Sequence, residues 1–158
     1  MRSMRVVFTM AAMMAIAFTA AAQTQDAWIG TWKLNVAKSK YSPGPSPKSL
    51  TIKNEASAGG MMSTSDTVDA QGKPTHTMIM TKFDGKEVPV QGAADANTTR
   101  IYKRIDSRSY EFVTKVGGKV TTTAKTVVSA DGKTRTTTTT GKNAQGQTVN
   151  NVAVYDKQ

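Results

Sequence analysis

Cysteine is absent from this 158-residue chain, and histidine occurs once, as His76. Without cysteine there is no disulfide framework, so an exported form must be stable through packing alone. The absence also excludes a bacterial lipoprotein anchor, which requires a cysteine at the cleavage site. Zinc would lack its usual ligands, and one histidine without clustered carboxylates gives little support for catalysis. We therefore expect no metal, no cofactor and no enzymatic activity.

Leucine is nearly missing, because Leu34 and Leu50 are the only two. Threonine is abundant, and beyond residue 22 valine outnumbers leucine and isoleucine. This composition disfavours helices and suits pleated strands. No long helical pattern competes, so the sequence predicts an all-β protein.

A long apolar run occurs at the amino terminus. Arg2 and Arg5 precede an uncharged, mostly apolar stretch at 6–18, and small alanines lead to an expected cleavage after Ala22. This is the three-part pattern of a secretory signal peptide. The run has about 13 residues, short of the roughly 20 that a stable membrane anchor needs. We expect a signal peptide at 1–22, one domain at 23–158, and a bacterial periplasmic or secreted location.

The formal net charge is +10, and the lysines are scattered through almost every turn and strand. A nucleic-acid-binding protein more often concentrates its basic residues in one stripe with interleaved aromatics. We therefore interpret the charge as a soluble basic surface and expect no nucleic-acid partner. Weak attraction to anionic envelope polymers or lipid headgroups is the alternative interpretation.

Turn signals divide the chain into short, regularly spaced strands. Asp84-Gly85, Gly117-Gly118 and Asp131-Gly132 are pairs typical of tight hairpins. The ten predicted strands are 27–35, 49–57, 61–69, 75–83, 86–91, 98–105, 109–116, 119–129, 133–140 and 148–156. Strand 133–140 is almost all threonine, so its composition does not distinguish its two faces. The pattern predicts a single antiparallel up-and-down β-barrel of about eight to ten strands, with a flattened sandwich as the alternative.

A proline-rich stretch interrupts the meander at 37–48. Pro43, Pro45 and Pro47 remove three backbone donors, so a helix or a central strand is excluded there. We predict a loop or flap between the first and second strands.

Side-chain alternation predicts which residues point into the barrel. Trp28, Trp32 and Leu34 share one face of the first strand, and Tyr110 and Phe112 share one face of a later strand. We expect both sets to face inward.

The stretch "GTWKL" at 30–34 resembles the Gly-x-Trp signature of the lipocalin and fatty-acid-binding protein superfamily, the calycins. The end of the chain, 152–157, is similar to the last strand of the fatty-acid-binding branch. The resemblance implies a lipocalin-like barrel in which Trp32 packs inside the closed end, with Lys157 placed to cover it. Two features depart from that branch: it has two helices after the first strand, and its ligand-gripping arginine corresponds here to Ala153.

One further segment has the chemistry of an anion clamp. Arg100, Tyr102 and Arg104 share a face, and two guanidinium groups turned inward would bind a carboxylate or phosphate. Ile101 and Ile105 compete from the other face. Burying two isoleucines gains roughly 3–6 kcal/mol, whereas burying two unpaired arginines costs several kcal/mol each. We therefore expect the isoleucines inside and the arginines outside unless a ligand pairs with them.

These features favour binding or carriage of a small apolar or amphipathic molecule in the bacterial envelope. Small inward residues cannot fill a wide barrel, so a cavity is expected. The candidate ligand-binding residues are Trp28, Trp32, Arg100, Tyr102, Arg104, Tyr110 and Phe112. The alternative is an envelope interaction or inhibitor module with a packed interior, contacting its partner through the loop around 43–45. The sequence does not indicate an oligomeric state.

Overall fold

The computed structural model describes residues 25–143 and 145–158. The predicted signal peptide at 1–22 lies outside the described residues. Within them, no helix has the length and apolar character needed to cross a bilayer.

Ten β-strands make up the described part of the chain. They are β1 (Gly30–Leu34), β2 (Ser49–Ser57), β3 (Gly60–Val68), β4 (Pro74–Thr81), β5 (Asp84–Pro89), β6 (Thr98–Arg104), β7 (Ser109–Val116), β8 (Lys119–Val128), β9 (Thr134–Lys142) and β10 (Thr148–Lys157). They form one antiparallel sheet in the order β4-β3-β2-β1-β10-β9-β8-β7-β6-β5. The predicted all-β meander is confirmed.

The sheet curls into a nearly closed barrel. Its outermost strands, β4 and β5, meet through a bridge in which Met78 and Gln91 exchange two backbone hydrogen bonds of 3.0 Å. A single sheet whose two edges meet is a barrel, so the flattened sandwich is excluded.

Two local predictions need correction. Asp84-Gly85 does not form a hairpin, because both residues lie inside β5 and the chain turns one residue earlier, at Phe83 (φ 55°). The segment predicted as a loop contains a short 3₁₀ turn at Val36–Lys38. Beyond that turn, Lys40 forms a β-bridge with Val152 of β10, so this part of the loop is fastened to the barrel wall.

The predicted faces hold in the strands that carry the core. Trp32, Leu34 and Tyr110 are buried, and Phe112 is half-buried against the same core. Trp28 is also buried, but it lies in a turn before β1, because the strand predicted at 27–35 begins only at Gly30. The structure also separates the faces of the threonine-rich β9: Arg135, Thr137 and Thr139 point inward, the first two fully buried, whereas Thr136, Thr138 and Thr140 point outward.

Candidate functional site

An aromatic wall lines one side of the barrel interior, formed by Trp28, Phe83, Tyr102, Tyr110 and Phe112. The Trp28 and Tyr110 rings meet edge-to-face with centroids 5.3 Å apart, and Tyr102 stacks on Phe112 at 5.1 Å. Phe83 contacts the other rings from the corner between β4 and β5. Such pairs contribute about 0.5–1.5 kcal/mol each beyond the area they bury. The wall is therefore part of the barrel's core.

The closed end of the barrel is built around the carbonyl oxygen of Trp28. This oxygen accepts hydrogen bonds from the Trp32 indole Nε1 and from Asn54 Nδ2, both at 2.9 Å. The Lys157 ammonium lies 5.2 Å from the centre of the Trp32 ring. The placement of Trp32 inside the closed end and of Lys157 over it is confirmed.

Arg135 is the most unusual polar residue of the interior. It points inward from β9 with 4% of its surface exposed, and its Nη2 donates to the Tyr110 hydroxyl at 2.9 Å. Its guanidinium carbon lies 5.1 Å from the Tyr155 ring centre. Nε and Nη1 are buried and have no hydrogen-bond partner. A buried cation with free donors favours an anionic partner such as a carboxylate or phosphate, but Nε and Nη1 lie on different edges of the guanidinium, so one carboxylate does not bind both.

Arg100 also points into the barrel, from β6. Its Nε donates to Thr114 Oγ1 at 3.3 Å and its Nη1 to the Tyr102 hydroxyl at 3.4 Å. Its guanidinium carbon lies 4.7 Å from the Phe112 ring centre. Arg100 is half-buried, so part of its charge remains accessible from the barrel interior.

The expectation that the isoleucines would occupy the interior of β6 is wrong. Tyr102 is 3% exposed and faces inward, which places Ile101 on the outer face, and Ile105 is 45% exposed. The burial free energies compared above were those of two isoleucines and two arginines. They left out Tyr102, which completes the aromatic wall. They also treated Arg100 as unpaired, whereas Thr114 and Phe112 both contact it.

Arg104 does not join Arg100 in a clamp. Its side chain lies at the closed end, where Nη2 binds Asp26 Oδ1 at 2.6 Å and the guanidinium lies 5.6 Å from the Trp28 ring centre. Arg104 is exposed, and burial raises the pKa of Asp26 even though the Arg104 charge opposes that rise. The arginine pair that the sequence proposed is therefore divided, and Arg135 stands inside the barrel with Arg100.

Three tyrosine hydroxyl groups are kept neutral near the two arginines. Burial raises the pKa of Tyr155 and of Tyr102, and the charges of Arg135 and Arg100 partly offset the rise in both. Burial also raises the pKa of Tyr41, with the neighbouring Tyr155 adding to the rise. Tyr41 belongs to the proline-rich segment and packs against the core. These hydroxyls are neutral hydrogen-bond donors at physiological pH.

The charged side chains at inward positions are positive. By strand register, the inward positions of the ten described strands include Arg100 and Arg135 but no aspartate or glutamate. Toward the end of the barrel away from Trp32, the inward residues are small and half-buried, among them Thr77, Thr114 and Thr139. The inward-facing side chains therefore combine positive charge and an aromatic wall with small polar residues at one end.

Sequence reasoning missed Arg135, Tyr155 and Tyr41 as site residues. The signal for Arg135 was present, since it is the one large charged residue inside a threonine run, but its face was undefined. Tyr155 lies opposite Arg135 in the β9–β10 ladder, and a register assignment would have revealed the pair.

A structural comparison identifies the class of fold. The chain is similar to zebrafish ileal bile acid-binding protein in complex with cholic acid, with a TM-score of 0.50 and 14% sequence identity. The match covers 84% of this chain and 99% of that one. Identity this low establishes the fold alone, a single antiparallel β-barrel. No protein-family model and no curated protein matches the chain.

Proposed function

We propose that this protein binds and carries a small amphipathic anion inside its barrel, with the anionic group held by Arg135. The observation that carries the proposal is the buried guanidinium whose Nε and Nη1 have no partner. An unpaired buried donor costs about 1–3 kcal/mol. A ligand carboxylate or sulfonate would relieve this cost at one of the two donors, because Nε and Nη1 lie on different edges of the guanidinium.

The aromatic wall supports an apolar body for the same ligand. Phe112 and Tyr102 form a stacked surface directly beside Arg100. An elongated ligand with its charged end at Arg135 would lay its apolar part along this surface. Arg100, half-buried and nearer the accessible end, would attract the anion on its way in. The cavity expected in the lumen remains a prediction and is part of this proposal.

The structural neighbour supports the same class of ligand. Zebrafish ileal bile acid-binding protein holds cholic acid, a small amphipathic acid, in a barrel of the same fold. In this chain the interior supplies hydrogen-bond donors and apolar rings, a combination suited to binding rather than to catalysis. The signal-like first 22 residues favour carriage in the bacterial envelope, and this location is part of the proposal.

The test is a displacement experiment with matched ligands. The purified, delipidated protein is loaded with a fluorescent anionic probe that brightens in apolar surroundings. Hexadecanoate and hexadecanol, which share a chain length and differ in charge, then compete for the site. A charge-assisted hydrogen bond contributes about 1.5–3 kcal/mol, so we expect the acid to displace the probe about 10- to 100-fold better than the alcohol.

Two arginine variants complete the design. Arg135→Met should remove the preference for the acid, whereas Arg104→Met should leave it intact because Arg104 lies outside the lumen, paired with Asp26. Equal displacement by acid and alcohol, or an unchanged preference in Arg135→Met, would contradict the proposal. A protein that takes up neither probe nor ligand would support the interaction module with a packed interior.

A further inference from the structure

The methionines of this chain have an uneven distribution. Five of the nine fall within the first 14 residues, and the other four are Met61, Met62, Met78 and Met80. All four of these lie on β3 and β4, two strands that pair along their full length. Core filling explains only Met61, which is 1% exposed and faces inward.

The remaining three methionines share the outer face of this strand pair. Ile79 and Thr81 are buried, so Met78 and Met80 point outward, and Met62 points outward because Met61 points in. Met62 stands directly opposite Met80 in the ladder, and Met78 is the next outward residue on the same strand. The outer face of β3–β4 therefore carries three thioethers at adjacent positions, which we call the methionine triad.

Packing does not account for the triad. Met80 is 55% exposed, and Met62 and Met78 are only half-buried. Strand surfaces favour β-branched and aromatic residues, which this chain has in abundance elsewhere. An exposed group of thioethers in a chain with two leucines requires another explanation.

We propose that the methionine triad is a binding site for a soft univalent metal ion, Cu(I). Directly opposed residues have Cβ atoms about 4.5–5.5 Å apart, and outward neighbours on one strand lie about 7 Å apart. The unbranched methionine side chain has three rotatable bonds, which lets three sulfurs converge on one ion above the sheet. Thioether ligands select Cu(I), whereas harder cations prefer oxygen or nitrogen.

The charges around the triad do not supply a site for a hard cation. Glu55 lies beside Met62 on the outer face and is paired with Lys53 at 2.8 Å, and Lys82 follows Met80. No group of three or more histidine, cysteine, aspartate or glutamate side chains in the described part of the chain is arranged to hold a metal. The thioethers are thus the donors that define the site.

His76 provides an internal control. It occupies the same outer face, two residues before Met78, and its Nδ1 is 2.7 Å from Asp66 Oδ1. An extended strand places it about 7 Å from Met78 and about 13 Å from Met80, so it lies beyond one edge of the triad with its Nδ1 already engaged by Asp66. Cu(I) bound by the triad therefore does not require His76, whereas binding through the imidazole would.

The experiment is a competition for Cu(I) under anaerobic conditions with ascorbate. The full chain is titrated against a coloured Cu(I) chelator, and the metal-to-protein ratio is read by native mass spectrometry. We expect one Cu(I) per chain. Met62→Leu, Met78→Leu and Met80→Leu keep side-chain volume and should each weaken binding at least about tenfold, since each removes one of three ligands.

The matched controls are Met61→Leu, which alters an inward methionine on the same strand, and His76→Ala. Both should bind Cu(I) as the wild type does, and circular dichroism should show all five variants folded. Absence of Cu(I) binding by the wild type would overturn the proposal. So would equal weakening by Met61→Leu, or loss of binding in His76→Ala with the triad intact.

Discussion

Replacing Arg135 with methionine should make the unliganded protein more stable. The change removes two buried donors without partners, each costing about 1–3 kcal/mol. It also removes the hydrogen bond to Tyr110 and the contact with the Tyr155 ring, the latter contributing about 0.5–2 kcal/mol. Buried ionic groups replaced by apolar residues of similar size often give a gain of 1–4 kcal/mol. We expect the free energy of unfolding to rise by about 1–3 kcal/mol.

Thermal and urea unfolding measure this effect. For a chain of this size, the expected gain raises Tm by roughly 2–12 °C. An anionic ligand at 1,000 times its Kd should then stabilise the wild type by about 4.1 kcal/mol, and Arg135→Met far less. The order of stability should therefore reverse when ligand is added.

The control is Arg104→Met, since the exposed Arg104–Asp26 pair contributes about 0–1 kcal/mol. Its stability should change little, and its response to ligand should match the wild type. If Arg135→Met lost more than 1 kcal/mol without ligand, the guanidinium would be satisfied within the fold. If its ligand response equalled that of the wild type, the reasoning that assigns Arg135 to the anion would be refuted.

Two further predictions concern the interior and the sheet. Because burial raises the pKa of Tyr102 and Tyr155, these phenols should ionise later in the folded than in the unfolded chain. The contribution of these phenols to stability should be constant below about pH 10 and fall above it. Tyrosinate absorbance with and without denaturant would measure this, and identical titration curves would contradict it. Gly60→Ala should destabilise by several kcal/mol in urea unfolding, because its Cβ would overlap the Thr81 backbone carbonyl. Gly59→Ala, with open space around it, should cost only about 1–2 kcal/mol; equal losses would show that the close approach is unimportant.

The strand pattern could be predicted from the sequence because turns and strands depend mainly on residues that are neighbours along the chain. The hairpin glycines at 117–118 and the limits of β2 and β7 follow from neighbouring residues alone. The hairpin predicted at Asp84-Gly85 does not form, because β4 and β5 are not paired as neighbours in the sheet. That arrangement depends on how the whole sheet closes, which no short window of sequence contains.

The candidate site was only partly accessible from sequence. Trp28, Tyr110 and Phe112 were found because alternation and aromatic character agreed. Arg135 was missed because β9 is nearly uniform in threonine, so the inward face emerged only from its pairing with β8 and β10. Arg104 is exposed, as expected, but its pairing with Asp26 was not foreseen, because the two residues are distant in sequence.

The Met78–Gln91 bridge marks the part of the barrel with the fewest hydrogen bonds between strands. Elsewhere the neighbouring strands are joined by ladders, whereas β4 and β5 meet at this bridge. Local opening breaks the fewest hydrogen bonds where strand pairing is sparse. The barrel should therefore open most often between β4 and β5. We expect the amide protons of Met78 and Gln91 to exchange with deuterium faster than that of Trp32. Ligand binding in the lumen should change the exchange rates of these two amides.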